Sequence, residues 1–402
     1  MTLELNQVAP QVKAMGRSLA EQQPARAETI KFAQQLLQEF SLQFSDLHDR
    51  IKRAEHVQQS QRFGWVGAAP TQEALADARP LPPFPERVTV IASDGSQILP
   101  DQHAITLYYV INTGSIIYQH GSNRKPETFN PPPLLCYEPG DLFDDQGRVI
   151  SSGEVNVKRD LAELQVLVER ANYLHGDTAE ATIAMIDGQL ALRVIDLPFD
   201  RQQLVQDQYI DLLNSLRGSQ ALLAGYVDRP RSTFVLALMH LASMDPAAIT
   251  EASLRVSAFR QLTDLDLFDF LRPGERSAIF TIQAKGLDKY NRSGHEIHFF
   301  YLNVGGDPLS PALARVEVPA WLIADRHAVD VLQATVVRQA RINGTYPYVL
   351  ARAHELAVIS TEEREAVEMM LAVEMRRQGL RPKLSPKQYN KSLLGNRESF
   401  RL

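Results

Sequence analysis

Apolar positions recur along this chain with two periods, and the change from one to the other divides it. From residue 3 to 21, Leu5, Val8, Val12, Met15 and Leu19 follow alternating steps of three and four, which predicts one face of a helix. Gln22-Gln23-Pro24 interrupts the pattern. It resumes with Ile30, Ala33, Leu37, Phe40, Phe44, Leu47, Ile51 and Ala54, an unbroken a/d heptad. Two helices meeting at Pro24 and folding back as an antiparallel hairpin are expected, making residues 1–64 a coiled-coil-like helical arm. Such a seam suits either a second chain or the arm's own domain. In residues 65–87, Ala68-Ala69-Pro70 and Pro80-Leu81-Pro82-Pro83-Phe84-Pro85 predict an extended linker.

Beyond the linker the period falls to that of strands. Val88-Thr89-Val90-Ile91-Ala92-Ser93-Asp94-Gly95-Ser96-Gln97 runs β-branched residues into a carboxylate, a glycine and a hydroxyl, as a buried strand reaching the rim of a sheet would. Ala181-Thr182-Ile183-Ala184-Met185-Ile186-Asp187-Gly188-Gln189 repeats the pattern. Between them, Ala104–Asn112 and Gly114–Tyr118 predict two strands of a hairpin turning at Asn112-Thr113-Gly114. Leu161, Leu164, Val168 and Ala171 place a helix over Lys158–His175. Further strands are expected at Ala221–Val227, Ile297–Leu302 and Ala314–Val318. Helices are expected at Thr233–Met244, at Trp321–Arg341 and around His354.

The resulting order, β-β-β-α-β with a carboxylate ending the first and fourth strands, is the plan of the ribonuclease H-like fold: a mixed sheet flanked by helices. In that plan the first and fourth strands are parallel neighbours, so Asp94 and Asp187 would face one another and could share a divalent cation. The intervening helix offers Glu163 and Glu169 as a third acid.

Composition narrows this only slightly. A hydrophobic fraction of 44% and a charged fraction of 22% are ordinary for a globular protein, and the net charge of −6 argues against a globally basic nucleic-acid binder. The charge is uneven, because Arg376, Arg377, Arg381, Lys383, Lys387, Lys391, Arg397 and Arg401 face the single acid Glu398 in the tail, a pattern suited to phosphates. One cysteine, Cys136, excludes an intramolecular disulfide and a cysteine-based zinc site, and its surroundings predict a packed side chain rather than a nucleophile. No apolar run has the ~18 residues a membrane span needs and no leader pattern is present, so a cytoplasmic protein is expected.

Four segments in order, Ser93-Asp94-Gly95-Ser96, Ile186-Asp187-Gly188, Gly225-Tyr226-Val227-Asp228-Arg229-Pro230-Arg231-Ser232, and Tyr346-Pro347 followed by Ala353-His354, resemble the NurA family of DNA-end-processing nucleases. The likeness runs from about Thr89 to Ile359. It implies a nuclease domain over residues 88–360, followed by a helix and basic tail at 361–402. It also implies manganese-dependent DNA cleavage of the 5′→3′ exonuclease and single-strand endonuclease type, homodimerisation, and joint action with the hexameric ATPase HerA in DNA repair. By position, Asp94 and Asp187 resemble the family's metal-binding aspartates, and Tyr346 and His354 its C-terminal active-site pair. Arg159-Asp160-Leu161-Ala162-Glu163 resembles the family helix, which selects Glu163 over Glu169. Gln189 departs from the family, where serine often follows Asp-Gly.

These residue types suit phosphodiester cleavage. Carboxylate oxygens select magnesium or manganese, and a nearby imidazole favours manganese. Two such ions about 4 Å apart activate a water and stabilise the leaving oxygen. His354 could ligate a metal or donate a proton, while Tyr346 suits positioning a phosphate or water. Arg229 and Arg231, flanking Pro230, could hold the DNA backbone. His240, His295, His298 and His327 are expected to be structural. Two other functions are compatible with the pattern: an actin-like ATPase, which lacks here the glycine-rich phosphate loops it needs, and a non-catalytic dimeric adaptor.

Overall fold

The computed structural model describes residues 4–59, 64–144, 146–175, 180–307 and 310–380; the basic tail from Arg381 onward lies outside the described residues. In chain order its elements are α1 (Leu5–Glu39), α2 (Phe44–Val57), β1 (Gly67–Pro70), β2 (Val88–Ile98), β3 (Tyr109–His120), β4 (Glu127–Phe129), β5 (Leu134–Cys136), α3 (Pro139–Leu142), α4 (Ser152–Leu174), β6 (Thr182–Asp187), α5 (Phe199–Gly218) and β7 (Leu222–Asp228). They continue with α6 (Phe234–Ala242), α7 (Glu251–Leu254), α8 (Asp264–Leu267), β8 (Phe280–Gln283), α9 (Asp288–Arg292), β9 (Ile297–Asn303), β10 (Leu313–Pro319), α10 (Ala320–Ile323), α11 (Arg326–Ile342), α12 (Tyr348–Ala357) and α13 (Thr361–Arg377). The chain divides into two compact units, Met1–Phe84 with Gly225–Tyr346 and Pro85–Ala224 with Pro347–Leu402, so the stretch expected as one domain over 88–360 is shared between them.

The first unit is built on antiparallel strands in the order β1, β8, β9, β10, with the end of β7 pairing to β10 from Gly225↔Glu317 to Asp228↔Ala314. Every position of β9 and β10 is buried, the signature of strands covered on both faces. α6 is buried over most of its circumference and lies within the core.

The arm differs from the expected hairpin. α1 runs through Pro24 without a break, and the turn comes at residues 40–43. A proline inside a helix removes one hydrogen bond and crowds the preceding turn. Here the helix beyond it is anchored: Arg26 donates to Gln261 O (2.8 Å) and to Asp266 Oδ1 (2.6 Å), and Gln34 donates to Asp269 Oδ1 (2.7 Å). Ala33, Leu37, Leu47, Ile51 and Ala54 are buried, and α2 packs on α6. Arg50 donates Nη1 to Leu241 O and Met244 O at the end of α6. The second half of the seam therefore belongs to its own unit. The first half is exposed, with Leu5, Val12, Met15 and Leu19 between 56% and 70% accessible.

The expected linker is likewise structured. β1 pairs with β8, and the Glu73 carboxylate takes two hydrogen bonds from buried Arg276 (2.7 and 2.9 Å) and one from Ile279 N. Proline removes ladder donors but leaves carbonyls free, and Gln333 donates to Arg79 O and Pro80 O. A chain with so many fixed partners is a strap rather than a spacer.

The second unit carries the expected ribonuclease H-like plan. β2 pairs antiparallel with β3 along its whole length, and β4 and β5 both add to β3. After α4, whose start is fixed by a Ser151–Glu154 capping box, β6 returns parallel to β2 from Thr89↔Thr182 to Ser93↔Ile186. The first and fourth strands are thus parallel neighbours. One detail differs: Asn112-Thr113-Gly114 is not a turn but the middle of β3. Asn112 donates to Ala357 O (2.7 Å) across the sheet face, so the polar residues there serve α12 rather than a hairpin. Cys136 is buried among Tyr109, Ile111 and Val155, the packed side chain expected. Ile359, Val367 and Leu371 seat α13 and its approach on Ile98, Tyr108 and Val110. Among the described residues no helix is long and apolar enough to cross a membrane.

Candidate active site

Strand alternation decides which helix each residue near Asp94 meets. Ser93 donates its hydroxyl to Glu163 O (2.8 Å) and so faces α4; Ser96 donates to Ala357 O (2.6 Å) and so faces α12. Asp94 shares the face of Ser96, and its Oδ2 hydrogen-bonds His354 Nδ1 of α12 at 2.7 Å, while Oδ1 accepts from Gly95 N (2.8 Å). Two glycines admit the helices. A Cβ on Gly114, directly opposite Asp94 on β3, would lie 2.6 Å from Leu356 Cβ and 2.8 Å from Leu356 C of α12. A Cβ on Gly95 would lie 2.8 Å from Glu163 Oε1 and 2.9 Å from Arg159 Cγ of α4. The small residues following Asp94 in sequence and across from it in register thus let one helix close on each face.

The β2–β6 register ends at Ser93↔Ile186, so Asp94 and Asp187 follow as the next residues on adjacent parallel strands. Asp187 is exposed at the strand end, and Gly188 turns the chain away with φ of 111°. From α4, Arg159 reaches three partners: Glu163 Oε1 from Nε (3.0 Å), Asp160 Oδ1 from Nη2 (2.6 Å) and Nε (3.2 Å), and Gln97 Oε1 from Nη1 (3.2 Å). Burial pushes the Glu163 carboxyl well above the ordinary range; Arg159 opposes this, and the negative charges of Asp160, Asp94 and Asp187 add to it. Burial also raises Asp160, against the pull of Arg159. Burial disfavours the Arg159 cation, yet Glu163, Asp160 and Asp94 together hold its pKa above the usual value.

Asp94, Glu163, Asp187 and His354 are therefore gathered in the second unit. Glu169 is not among them: it is exposed and accepts from Gln165. His354 is 65% exposed, with one ring nitrogen committed to Asp94. Tyr346 belongs to the first unit, where its ring meets Tyr226 edge-on at 5.6 Å while Tyr226 donates its hydroxyl to Thr345 O. Arg229 and Arg231 are also in the first unit, both exposed. Arg229 adopts φ of 41° and lies 3.7 Å from Asp228. Of the histidines expected to be structural, His240 hydrogen-bonds Ser253 O, His295 accepts from Trp321 Nε1, His298 contacts Thr281 and Glu296, and His327 is exposed at the start of α11. Arg159 entered the sequence reading only as part of the family-like helix segment, and it, Asp160 and Gln97 were given no role at the site there. The signal was present, since Arg159 and Glu163 stand at i and i+4 on one helix stripe.

As the side chains stand, no three acidic or imidazole groups among the described residues converge on a common metal position. Arg159 occupies Glu163 and Asp160, and His354 occupies one oxygen of Asp94. The donors nonetheless fit a hard divalent cation: carboxylate oxygens and one imidazole, with Glu163 buried and near enough to Asp160, Asp94 and Asp187 to feel their charge.

The NurA domain family pattern matches residues 88–359, more than half of the chain. No curated protein matches. Among solved structures, the catalytic domain of human Endonuclease V is 12% identical over 71% of this chain and 84% of its own, with a TM-score of 0.33. Ciona intestinalis Endonuclease V, solved in complex with a DNA containing an inosine followed by a ribo-adenosine, is 8% identical over 79% of this chain and 96% of its own, with a TM-score of 0.26. LC9-RNase H1, described as a type 1 RNase H with the type 2 active-site motif, is 7% identical over 42% of this chain and 77% of its own, with a TM-score of 0.22. These likenesses are too loose to assign anything, and the fold rests on the strand register above.

Proposed function

Because the chain belongs to the NurA domain family, we propose that it is a metal-dependent deoxyribonuclease. One observation carries the proposal: the parallel pairing of β2 with β6 puts Asp94, inside β2, beside Asp187 at the end of β6, with Glu163 close enough to feel both charges and His354 on Asp94 Oδ2. Asp94, Asp187 and Glu163 would hold the cation, with His354 as a further ligand or the proton donor. The bound ion would lower the pKa of a water and neutralise charge on the phosphate. Glu163 would offer the cation the oxygen that Arg159 does not hold, or Oε1 once Arg159 releases it, and Arg159, held by Asp160 and Gln97, would then present its guanidinium to phosphate oxygens. His354 keeps one nitrogen on Asp94 and has the other for a metal or a transferred proton.

The finer features follow family resemblance. Manganese is the preferred ion, with magnesium second. The activity is of the 5′→3′ exonuclease and single-strand endonuclease type, serving end resection in double-strand break repair with a HerA-type hexameric ATPase, in a cytoplasmic homodimer. Tyr346 positions phosphate or water, and Arg229 and Arg231 hold the DNA backbone. The exposed apolar stripe at Leu5, Val12, Met15 and Leu19 is the surface available for pairing two protomers. The test is cleavage of end-labelled single- and double-stranded DNA with manganese, magnesium or chelator, with ATP hydrolysis followed in parallel. Cleavage with metal and none with chelator is expected. DNA binding without cleavage under any metal would turn the assignment to an adaptor.

A further inference from the structure

We propose that Phe129, Arg170 and Tyr173 form a stacking site for an unpaired nucleobase, about 10 Å from Glu163 on the α4 face of the sheet. The inference rests on the nuclease function above. β4 is the edge strand of its sheet, and none of its three side chains is buried, so Phe129, 39% exposed, contributes little to the core. Arg170 lies over the Phe129 ring at 4.2 Å from guanidinium carbon to ring centroid, and at 5.8 Å from the ring of Tyr173, which is 66% exposed. Arg170 forms no ion pair among the described residues, and its Nε is buried without a hydrogen-bond partner. Alternating ring and cation, with the charge not neutralised, are the parts from which single-strand binding surfaces are made. The adjoining β3–β4 connection adds Arg124 and Lys125, both exposed, against the single acid Glu127.

Two independent measures place this stack relative to the site. Ser93 pairs with Ser115 and Ser115 with Phe129, so Phe129 is two strand spacings, roughly 10 Å, from the residue before Asp94. All three face α4, as the Ser93 bond to Glu163 O and the cover of Phe129 by Arg170 require. Along α4, Arg170 follows Glu163 by two helical turns on the same stripe, again ~10 Å. A base stacked there would hold a single strand beside the Glu163 side of the site, whereas a base inside a duplex has no free face to offer.

The test uses the full chain in chelator, where no cleavage occurs, with oligothymidylates carrying one 2-aminopurine moved along the strand. Wild type should quench the probe at one position, and Tyr173→Ala should abolish that quench and weaken binding about 5- to 100-fold, with an unchanged melting temperature. Tyr173→Phe should restore both, and Phe129→Ala should behave as Tyr173→Ala. Unchanged quench and affinity in Tyr173→Ala and Phe129→Ala, or no single-strand binding by wild type, would overturn the stacking site. Cleavage by wild type with normal binding by the variants defeats the stack alone. A position-specific quench in a protein that never cleaves defeats the nuclease alone.

Discussion

Gly114→Ala isolates the geometry of the site without touching a charged group. The added Cβ would stand 2.6 Å from Leu356 Cβ, 2.8 Å from Leu356 C and 2.9 Å from Ala357 N, and two of these three are backbone atoms of α12 that cannot rotate aside. The helix must therefore lift from β3, and it carries His354, whose 2.7 Å bond to Asp94 spans the same gap. Inserting one methyl into such a contact costs about 1–3 kcal/mol. For a domain of the second unit's size this lowers the melting temperature by roughly 2–12 °C. A shift of several tenths of an ångström between catalytic groups costs more in rate, on the order of 10- to 100-fold. The assay is single-turnover cleavage of end-labelled single-stranded DNA with manganese, beside a melt of the same sample. Gly140→Ala, where nothing lies within 4 Å, is the matched silent control. Wild-type rate and stability in Gly114→Ala would refute the claim that α12 is held against the strand opposite Asp94.

Buried Asp264 has its carboxyl pushed up to about 6 by burial, in spite of hydrogen bonds from Tyr301 and the first turn of α6. The folded chain thus takes up a proton between pH ~4 and 6 that the unfolded chain does not, so up to about 3 kcal/mol of stability present below pH 4 is lost as pH rises through 6. Asp264→Asn should flatten that slope in pH-dependent denaturant melts, at a cost of about 1–3 kcal/mol from the bonds it cannot copy. Arg50→Met removes the guanidinium donor from the Leu241 and Met244 carbonyls, leaving Leu241 O to backbone N–H groups, and should lower stability by about 1–3 kcal/mol without changing the metal dependence of cleavage, as melts and rate measurements on one sample will show. Deleting residues 1–22 removes the exposed stripe but spares the Arg26 and Gln34 anchors, so light scattering should report a monomer with an unchanged melting temperature.

Much of the site was legible because its signals are local. Two apolar runs each leading into Asp-Gly, separated by further strands and a crossover helix, left a parallel β2–β6 pair as the natural arrangement, and the neighbouring Asp94 and Asp187 followed from it, although β2 runs on past Asp94 to Ile98. What was hidden depends on partners distant in sequence. Pro24 reads as a helix break, yet Arg26 and Gln34 are held by residues more than 230 positions away, which keeps α1 continuous. Asn112-Thr113-Gly114 has turn composition, but Gly114 is small because α12 descends on it. The Pro-rich strap looked like a spacer because its anchors, Arg276 and Gln333, lie far along the chain. Asp160 takes its place at the site from burial and from Arg159, neither of which helix spacing shows.

Asp94 joins every part of the site: it neighbours Asp187 in register, accepts His354, and adds its charge to that on Glu163. Asp94→Ala, assayed for manganese-dependent cleavage of end-labelled DNA beside binding of the same DNA in chelator, is the most direct measurement. The account predicts cleavage reduced at least 100-fold with DNA binding retained. Undiminished metal-dependent cleavage by Asp94→Ala would contradict it.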